Sequence, residues 1–309
     1  VVRGITIFTQ FSDLPDDGNE VRVWKTQQVP TAQRYFDLMS YGKMKLQIDM
    51  TDKVYLIPKS VLSYNLDTPH GTPMKPNANV QGLFEDAVKA ADNDIDFAKY
   101  DFINVVTPAT TKIGFEGAFG TQIVADGRAI HQGTFGPIRE YIDDPLKFPW
   151  LVHEMGHLMG LMHPYANPNN RGRYAIVAWD LMGNAITYAP EYLAWHKFLL
   201  GWLGDDQVRC LIYNSKSTTI TLVTPLSENV QGVKTILVKV SDTQTLVIEN
   251  RRASELNKIE RSEEGTLVYI VDQTLGDNKG AIYPIYQRET TRNDQLLGTL
   301  IPGETVTYQ

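Results

Sequence analysis

The hydrophobic pattern of the first third of the chain alternates between the periods of strands and helices. A β-branched and aromatic run at residues 3–9 predicts a strand, and residues 31–42 have the spacing of a short amphipathic helix capped by Thr31. Apolar positions three and four apart in residues 77–91 predict a second helix, and residues 101–107 predict a buried strand. This order of strand, helix and strand predicts helices layered on a sheet.

Three shorter β-like runs complete this part of the chain. Residues 45–49 and 53–57 have the pattern of two paired strands, and residues 121–125 predict another short strand. At a sheet edge, the 121–125 strand could pair with an extended substrate peptide through its free backbone groups. An interior strand fits the same pattern equally well.

Beyond residue 205 the pattern becomes that of a β-rich region. Runs of β-branched residues, separated by turn residues, recur at residues 218–223, 233–240, 245–248, 266–271 and 304–308. We therefore predict an α+β protein, with a first domain over residues 1–205 and a β-rich C-terminal region over residues 206–309. That region is either a small separate domain, such as a β-sandwich, or a sheet packed on the first domain.

Composition and charge narrow the class of protein. The chain has 309 residues, 42% of them hydrophobic, which is enough to fill a sizeable core. Its net charge of −7 gives no basic field to hold phosphates, so we expect neither a nucleic-acid nor an anionic-membrane partner. No apolar run reaches the length of a membrane span. The single cysteine, Cys210, allows no disulfide within the chain, and its apolar neighbours predict a buried strand position.

The sequence begins at Val1 with neither Met nor a charged and apolar leader. We therefore expect a processed or trimmed form, with any signal or pro-segment outside this sequence.

Candidate chemistry is concentrated at residues 153–163, which read HEMGHLMGLMH. His153 and His157 are four residues apart, so on a helix both imidazoles project from one face and can reach one zinc ion. Gly160 can end the helix in a left-handed conformation, which lets the chain bring His163 to the same metal. Three imidazoles leave a fourth zinc position for water, as in catalytic zinc sites.

Glu154 is the candidate general base of this HExxHxxGxxH motif, because it lies beside the ligands and can take a proton from a water at the metal. Two other interpretations stay open. In a thermolysin-like enzyme the third ligand would be an acid on a later helix, for which Glu191 is the candidate. In a non-catalytic extracellular binding module the zinc would be structural, although such a site has no use for Glu154.

An acidic loop at residues 12–19 raises the question of a second cation, Ca²⁺. Its spacing matches no defined calcium-loop motif, which favours a solvated loop over a calcium site.

With these residues in view, the chain resembles the metzincin proteases, and among them the secreted immune inhibitor A-like metalloproteases. The resemblance includes the HExxHxxGxxH motif and the Met182-Gly183 pair, which is similar to the methionine turn beneath the metal in that clan. It extends over most of the chain through YFDLMSYGK at residues 35–43, IDFAKYDF at 95–102, YLAWHK at 192–197, LGWL at 200–203, ENRR at 249–252 and GTLVY at 265–269.

The resemblance implies a twisted mixed sheet, an active-site helix and a Met-turn. It also implies a secreted zinc endopeptidase that acts on a protein or peptide substrate. The ligands would be His153, His157 and His163, with Glu154 as the general base. Many immune inhibitor A-like proteins carry an acid where this chain has His163. Astacin-like members have a Tyr where this chain has Asn184, and Tyr188 is the nearby candidate for that role.

Overall fold

The computed structural model describes residues 1–67, 75–108, 117–136, 150–166, 175–183, 191–213, 224–257, 263–285, 288–289, 296–297, 299–301, 303 and 305–306. The chain is α+β and divides into two compact units. Unit 1 comprises Val1–Phe36 and Met44–Met159, and unit 2 comprises Asp37–Lys43 and Gly160–Gln309. This division by compactness differs from the boundary at residues 205 and 206 expected from the sequence, and that domain boundary stays a prediction.

Unit 1 is built on a five-stranded mixed sheet in the order β2-β1-β3-β5-β4. Neighbours pair in parallel from β2 to β5, and β4 alone runs antiparallel to its neighbour β5. The strands are β1 (Val2–Phe11), β2 (Leu46–Ile57), β3 (Phe102–Val106), β4 (Gly117–Ala125) and β5 (Arg128–Gly136). The five residues of β3 are all buried, as a central parallel strand requires.

The helices of unit 1 bury their apolar faces in the core of that unit. α3 (Val80–Ala91) begins after Asn79, whose side chain accepts a hydrogen bond from the Gly82 N–H at 2.8 Å. Its buried positions follow the predicted spacing and pack with residues of β1, β3 and β5 in one cluster. The helix expected at residues 77–91 and the strand expected at residues 101–107 are therefore confirmed.

Two local predictions in this region are wrong. The runs at residues 45–49 and 53–57 are one strand, β2, with a register irregularity beside β1. There the Thr51 hydroxyl accepts the Phe8 N–H at 3.3 Å, so the polar stretch interrupts the ladder without ending the strand.

Thr31 does not begin a helix. Helical residues run from α1 (Asn19–Val23) through a π-helical turn at Trp24–Gln28 into α2 (Val29–Met39). The wider turn precedes Pro30, which has no N–H to donate to a regular helical ladder.

Unit 2 contains a second sheet in the order β10-β9-β8-β7-β6, with a short β13 also paired to β9. The strands of this sheet are β6 (Val208–Ile212), β7 (Thr235–Lys239), β8 (Gln244–Arg251), β9 (Gly265–Asp272), β10 (Ile282–Pro284) and β13 (Thr299–Leu300). Two short strands, β11 (Arg288–Glu289) and β12 (Leu296–Leu297), pair with each other in a separate sheet. These strands confirm the β-rich C-terminal region. The runs expected at residues 218–223 and 304–308 lie wholly or largely outside the described residues.

The predicted burial of Cys210 is wrong, because its side chain is exposed. It lies on β6, an edge strand of the described sheet, and none of the five side chains of that strand is buried. No helix in the described part of the chain is long and apolar enough to cross a membrane.

A buried ion cluster, formed by Glu191, Lys197, Glu249 and Arg251, lies in the interior of unit 2. The Lys197 Nζ atom is 2.5 Å from Glu191 Oε2, and the Arg251 Nε atom is 2.5 Å from Glu249 Oε1. Burial lowers the pKa of Lys197, and the adjacent Glu191 opposes that shift. Lys197 lies on α5 (Ala194–Leu199), so the cluster ties this helix to strand β8.

Removing one partner of this cluster should destabilise the protein strongly. Glu191→Ala leaves the Lys197 charge buried without its partner, so we expect the free energy of unfolding to fall by about 3–5 kcal/mol. Urea unfolding measures the loss. Asp242→Ala is the matched control, because it removes an exposed partner of Lys239 and should leave the unfolding midpoint nearly unchanged. Equal midpoints for Glu191→Ala and wild type would contradict the prediction.

The lowered pKa of Lys234 makes the free energy of unfolding vary with pH in the alkaline range. Burial, and then the positive charge of Lys197, lower the pKa of Lys234 from 10.5 to about 8. Between these pH values the unfolded chain binds more protons at this group, so the free energy of unfolding should rise with pH. Between about pH 8 and pH 10.5, the urea midpoint should rise more steeply with pH for wild type than for Lys234→Met. Parallel profiles would disprove the shift.

Candidate metal centre

Helix α4 (Trp150–Leu158) carries His153, Glu154 and His157, as expected from the sequence. The two imidazole rings lie on one side of the helix, with centroids 4.9 Å apart and planes at 84°. His153 and Glu154 are buried, with 7% and 8% of their surfaces exposed. The four-residue spacing therefore forms the imidazole pair that the sequence predicts.

Apolar side chains on the other faces hold α4 within unit 1. Trp150, Leu151, Val152 and Met155 are all buried, and the ring of Trp150 meets Trp24 edge to face at 6.3 Å. The Leu151 N–H, in the first helical turn, donates to Gln28 Oε1 at 3.3 Å. The helix that presents the histidines is thus anchored along its buried side and at its beginning.

The end of α4 is set by Gly160, whose φ of +88° is left-handed. A Cβ atom there would meet nothing within 4 Å, so the backbone conformation, and not the available space, requires glycine. This confirms the predicted helix stop.

The three predicted ligands come together in this continuous stretch of chain. One ligand nitrogen from each of His153, His157 and His163 lies within 4.8 Å of those from the other two. Three imidazoles at this separation suit a zinc ion, and they leave a coordination position for water. The donor set thus fits the expected metal.

The Glu154 side chain lies next to the first residue of strand β4. A Cβ atom built on Gly117, the first residue of β4, would lie 3.6 Å from Glu154 Oε2. The carboxylate is therefore carried by the histidine helix and faces the backbone of the strand next to it. Gly117 and Gly120 both belong to this strand.

Strand β4 is an edge strand of the described sheet, with β5 as its one described neighbour. Residues 121–125 thus have the edge position that peptide pairing requires. Gly120, Gln122 and Val124 are exposed, the last with 75% of its surface accessible. The interior-strand interpretation is wrong for the part of the sheet that the structure describes.

The turn around Met182 is held by Asp180, a residue that the sequence reasoning missed. Asp180 Oδ1 accepts the N–H groups of Met182 at 3.2 Å and Leu193 at 3.4 Å, and its Oδ2 lies 3.0 Å from His196 Nδ1. A Cβ atom on Gly183 would lie 2.7 Å from the Val177 carbonyl oxygen, so this turn requires glycine. His196 is buried against Asp180.

The alternative ligand Glu191 is already bound within unit 2. Its Oε2 accepts from Lys197 at 2.5 Å and its Oε1 accepts from the Asn257 side chain at 2.6 Å. Both oxygens of this fully buried carboxylate therefore have other partners, which argues against a thermolysin-like third ligand.

A cavity of about 230 Å³ in unit 2 adjoins His163. Its walls include Leu161, Trp195, Leu275 and Ile282. This lining favours an apolar group over a charged one.

A second group of possible cation ligands comprises Asp16, Asp17 and Glu20 in unit 1, whose oxygens lie within 4.8 Å of one another. Asp16 accepts the Gly18 N–H at 3.0 Å and Asp17 accepts the Asn19 N–H at 2.9 Å. Burial raises the pKa of Asp16. These hydrogen bonds account for Asp16 and Asp17 as turn and helix-start residues, in line with the solvated loop that the sequence favours, and Ca²⁺ binding stays an untested alternative.

Asn184 and Tyr188 lie outside the described residues. No protein-family model matches this chain, and a search of the curated proteins finds no match to it.

Zinc binding should depend on the histidines of α4. His153→Ala and His157→Ala each remove one of three donors, so we expect both variants to lose bound zinc during dialysis against a mild chelator. Metal analysis of the purified proteins measures the loss. His131→Ala is the control, because His131 is exposed on β5 and outside the cluster. Equal zinc content in all three variants would rule out this centre.

Proposed function

We propose that this chain is a zinc-dependent endopeptidase of the metzincin type. The observation that carries the proposal is the convergence of His153, His157 and His163, together with Glu154 on the same helix as the first two. A structural zinc site has four protein ligands and no need of an adjacent carboxylate, whereas a hydrolytic site needs both an open position and a base.

The proposed roles follow from the chemistry of these side chains. His153, His157 and His163 would hold the zinc ion, which when bound lowers the pKa of a water molecule and polarises a carbonyl group. Glu154 would accept a proton from the attacking water and later donate it to the leaving amine nitrogen. One carboxylate thus serves first as base and then as acid.

The proposed substrate is an extended segment of a protein or peptide. Support comes from β4, which is an edge strand of the described sheet and whose first residue lies against Glu154. A peptide added to that edge would be held by main-chain hydrogen bonds, which are largely independent of side-chain identity. Such pairing would bring its backbone near the general base.

The metzincin type and the secreted location are the remaining parts of the proposal. The Asp180–Gly183 turn is compact and buries Met182 completely, as expected of a Met-turn, and its role beneath the metal is part of the proposal. Secretion and membership of the immune inhibitor A-like proteases rest on the resemblance alone.

The test of catalysis is Glu154→Gln, which keeps the shape of the side chain and removes its basicity. We expect kcat/KM for a denatured protein substrate to fall by roughly 10²–10⁴, with zinc content unchanged. Glu85→Gln is a matched control at an exposed position of helix α3 and should retain full activity. Full activity in Glu154→Gln would refute the assignment of the base.

The same measurements separate the protease from the non-catalytic module. A protease binds zinc and cleaves a generic protein in a chelator-sensitive way. Zinc without any cleavage by the wild-type protein would favour the module.

A further inference from the structure

The third candidate ligand is attached to the C-terminal sheet of unit 2 by its backbone. Residues 163–165 run beside the turn that joins β9 to β10, and three main-chain hydrogen bonds connect them. Asn278 N–H donates to the His163 carbonyl at 3.4 Å, Ile282 N–H to Pro164 at 3.1 Å and Gly280 N–H to Tyr165 at 3.0 Å. The location of the His163 backbone in the fold is therefore set by a turn that lies more than a hundred residues further along the chain.

One carboxylate of that turn also holds the imidazole ring. Asp277 Oδ1 accepts the His163 backbone N–H at 2.7 Å and lies 3.0 Å from His163 Nδ1. An ionised carboxylate can only accept, so this contact requires the ring hydrogen to be on Nδ1. The lone pair of the neutral ring is then on Nε2, where it can bind a metal.

Asn278 completes the arrangement. Its Nδ2 atom donates to Asp277 Oδ2 at 2.9 Å, which orients the carboxylate from the other side. The same Nδ2 atom is 3.4 Å from His163 Nδ1, but two donors cannot bond to each other. The shorter contact to Asp277, between a ring and an anion, therefore determines which nitrogen carries the hydrogen.

We propose that Asp277 is a positioning residue for the metal centre: it fixes the rotation and the tautomer of His163 so that Nε2 is available as the third ligand atom. This inference rests on the proposed function, because it assumes that His163 binds zinc.

The exposure of the pair distinguishes this role from a stabilising one. The side chains of His163 and Asp277 are 23% and 48% exposed, and even a full ion pair with this exposure would contribute little to stability. The partners that orient metal-binding histidines, by contrast, typically change metal affinity by about 10–100-fold when mutated. A positioning role predicts a loss of affinity without a comparable loss of stability.

The first experiment measures zinc affinity by competition with a fluorescent zinc chelator, with zinc alone as the ligand. We expect Asp277→Ala to bind zinc about 10–100-fold more weakly than wild type. Asp277→Asn keeps an oxygen that can accept hydrogen bonds from the backbone N–H and from Nδ1–H of His163. Its zinc affinity should therefore lie between those of wild type and Asp277→Ala. Asp242→Ala removes a carboxylate from another exposed turn of the same sheet and should bind like wild type. Urea midpoints of the zinc-free variants should all agree.

The second experiment reads the imidazole directly in zinc-free protein. Nitrogen-15 shifts of the neutral His163 ring should show the Nδ1–H tautomer in wild type and a mixture of tautomers in Asp277→Ala. This readout requires neither metal nor activity, and a merely structural role for Asp277 would not produce it.

The outcomes separate the two proposals. Zinc binding of equal strength in wild type and Asp277→Ala would overturn the positioning role and leave the proposed function intact. An Nε2–H tautomer in the wild-type protein would do the same. Failure of the wild-type protein to bind zinc would overturn the proposed function, and the positioning role with it.

Discussion

The candidate metal centre depends on one constraint, the helical geometry of α4. A helix turns about 100° per residue, so only residues three or four apart lie on the same face. His153 and His157 satisfy this spacing, and their rings lie 4.9 Å apart as a result. Burial of Trp150 and Met155 on other faces holds the helix in place, and Gly160 ends it before His163. The candidate metal centre therefore relies on the packing of residues that do not themselves bind the metal.

A second constraint acts inside unit 2, where charged groups have no access to water. Glu191, Lys197, Glu249 and Arg251 are fully buried, and each must find its partner within the protein. Arg251 also donates to the backbone carbonyl of Trp179 at 2.8 Å, directly before the turn that contains Asp180. The cluster thus limits the arrangements open to the segments that carry it, and it explains why Glu191 is unsuited to be a ligand.

Most elements with a strong period could be predicted from the sequence, and the errors occurred where long-range pairing overrides local signals. The helix α3 and the buried strand β3 follow from spacing alone. Strand β2 does not, because its polar interruption at Thr51 is bridged by β1. Cys210 lies in an apolar run but is exposed, because no part of β6 is buried in the fold. The position of β4 at the edge of the described sheet could not be deduced from its own residues, which suit interior and edge equally well.

The sequence by itself determined the candidate chemistry, because the ligands and the base lie close together along one helix and its end. Helical spacing is a local property, so it can be read from neighbouring residues. Only the tertiary structure decided which groups support that chemistry. Asp277 is 114 residues from His163 in the sequence. Asp180 binds Leu193 and His196, which are 13 and 16 residues further along the chain. Such contacts depend on strand register and on the course of distant turns, and no local pattern encodes them.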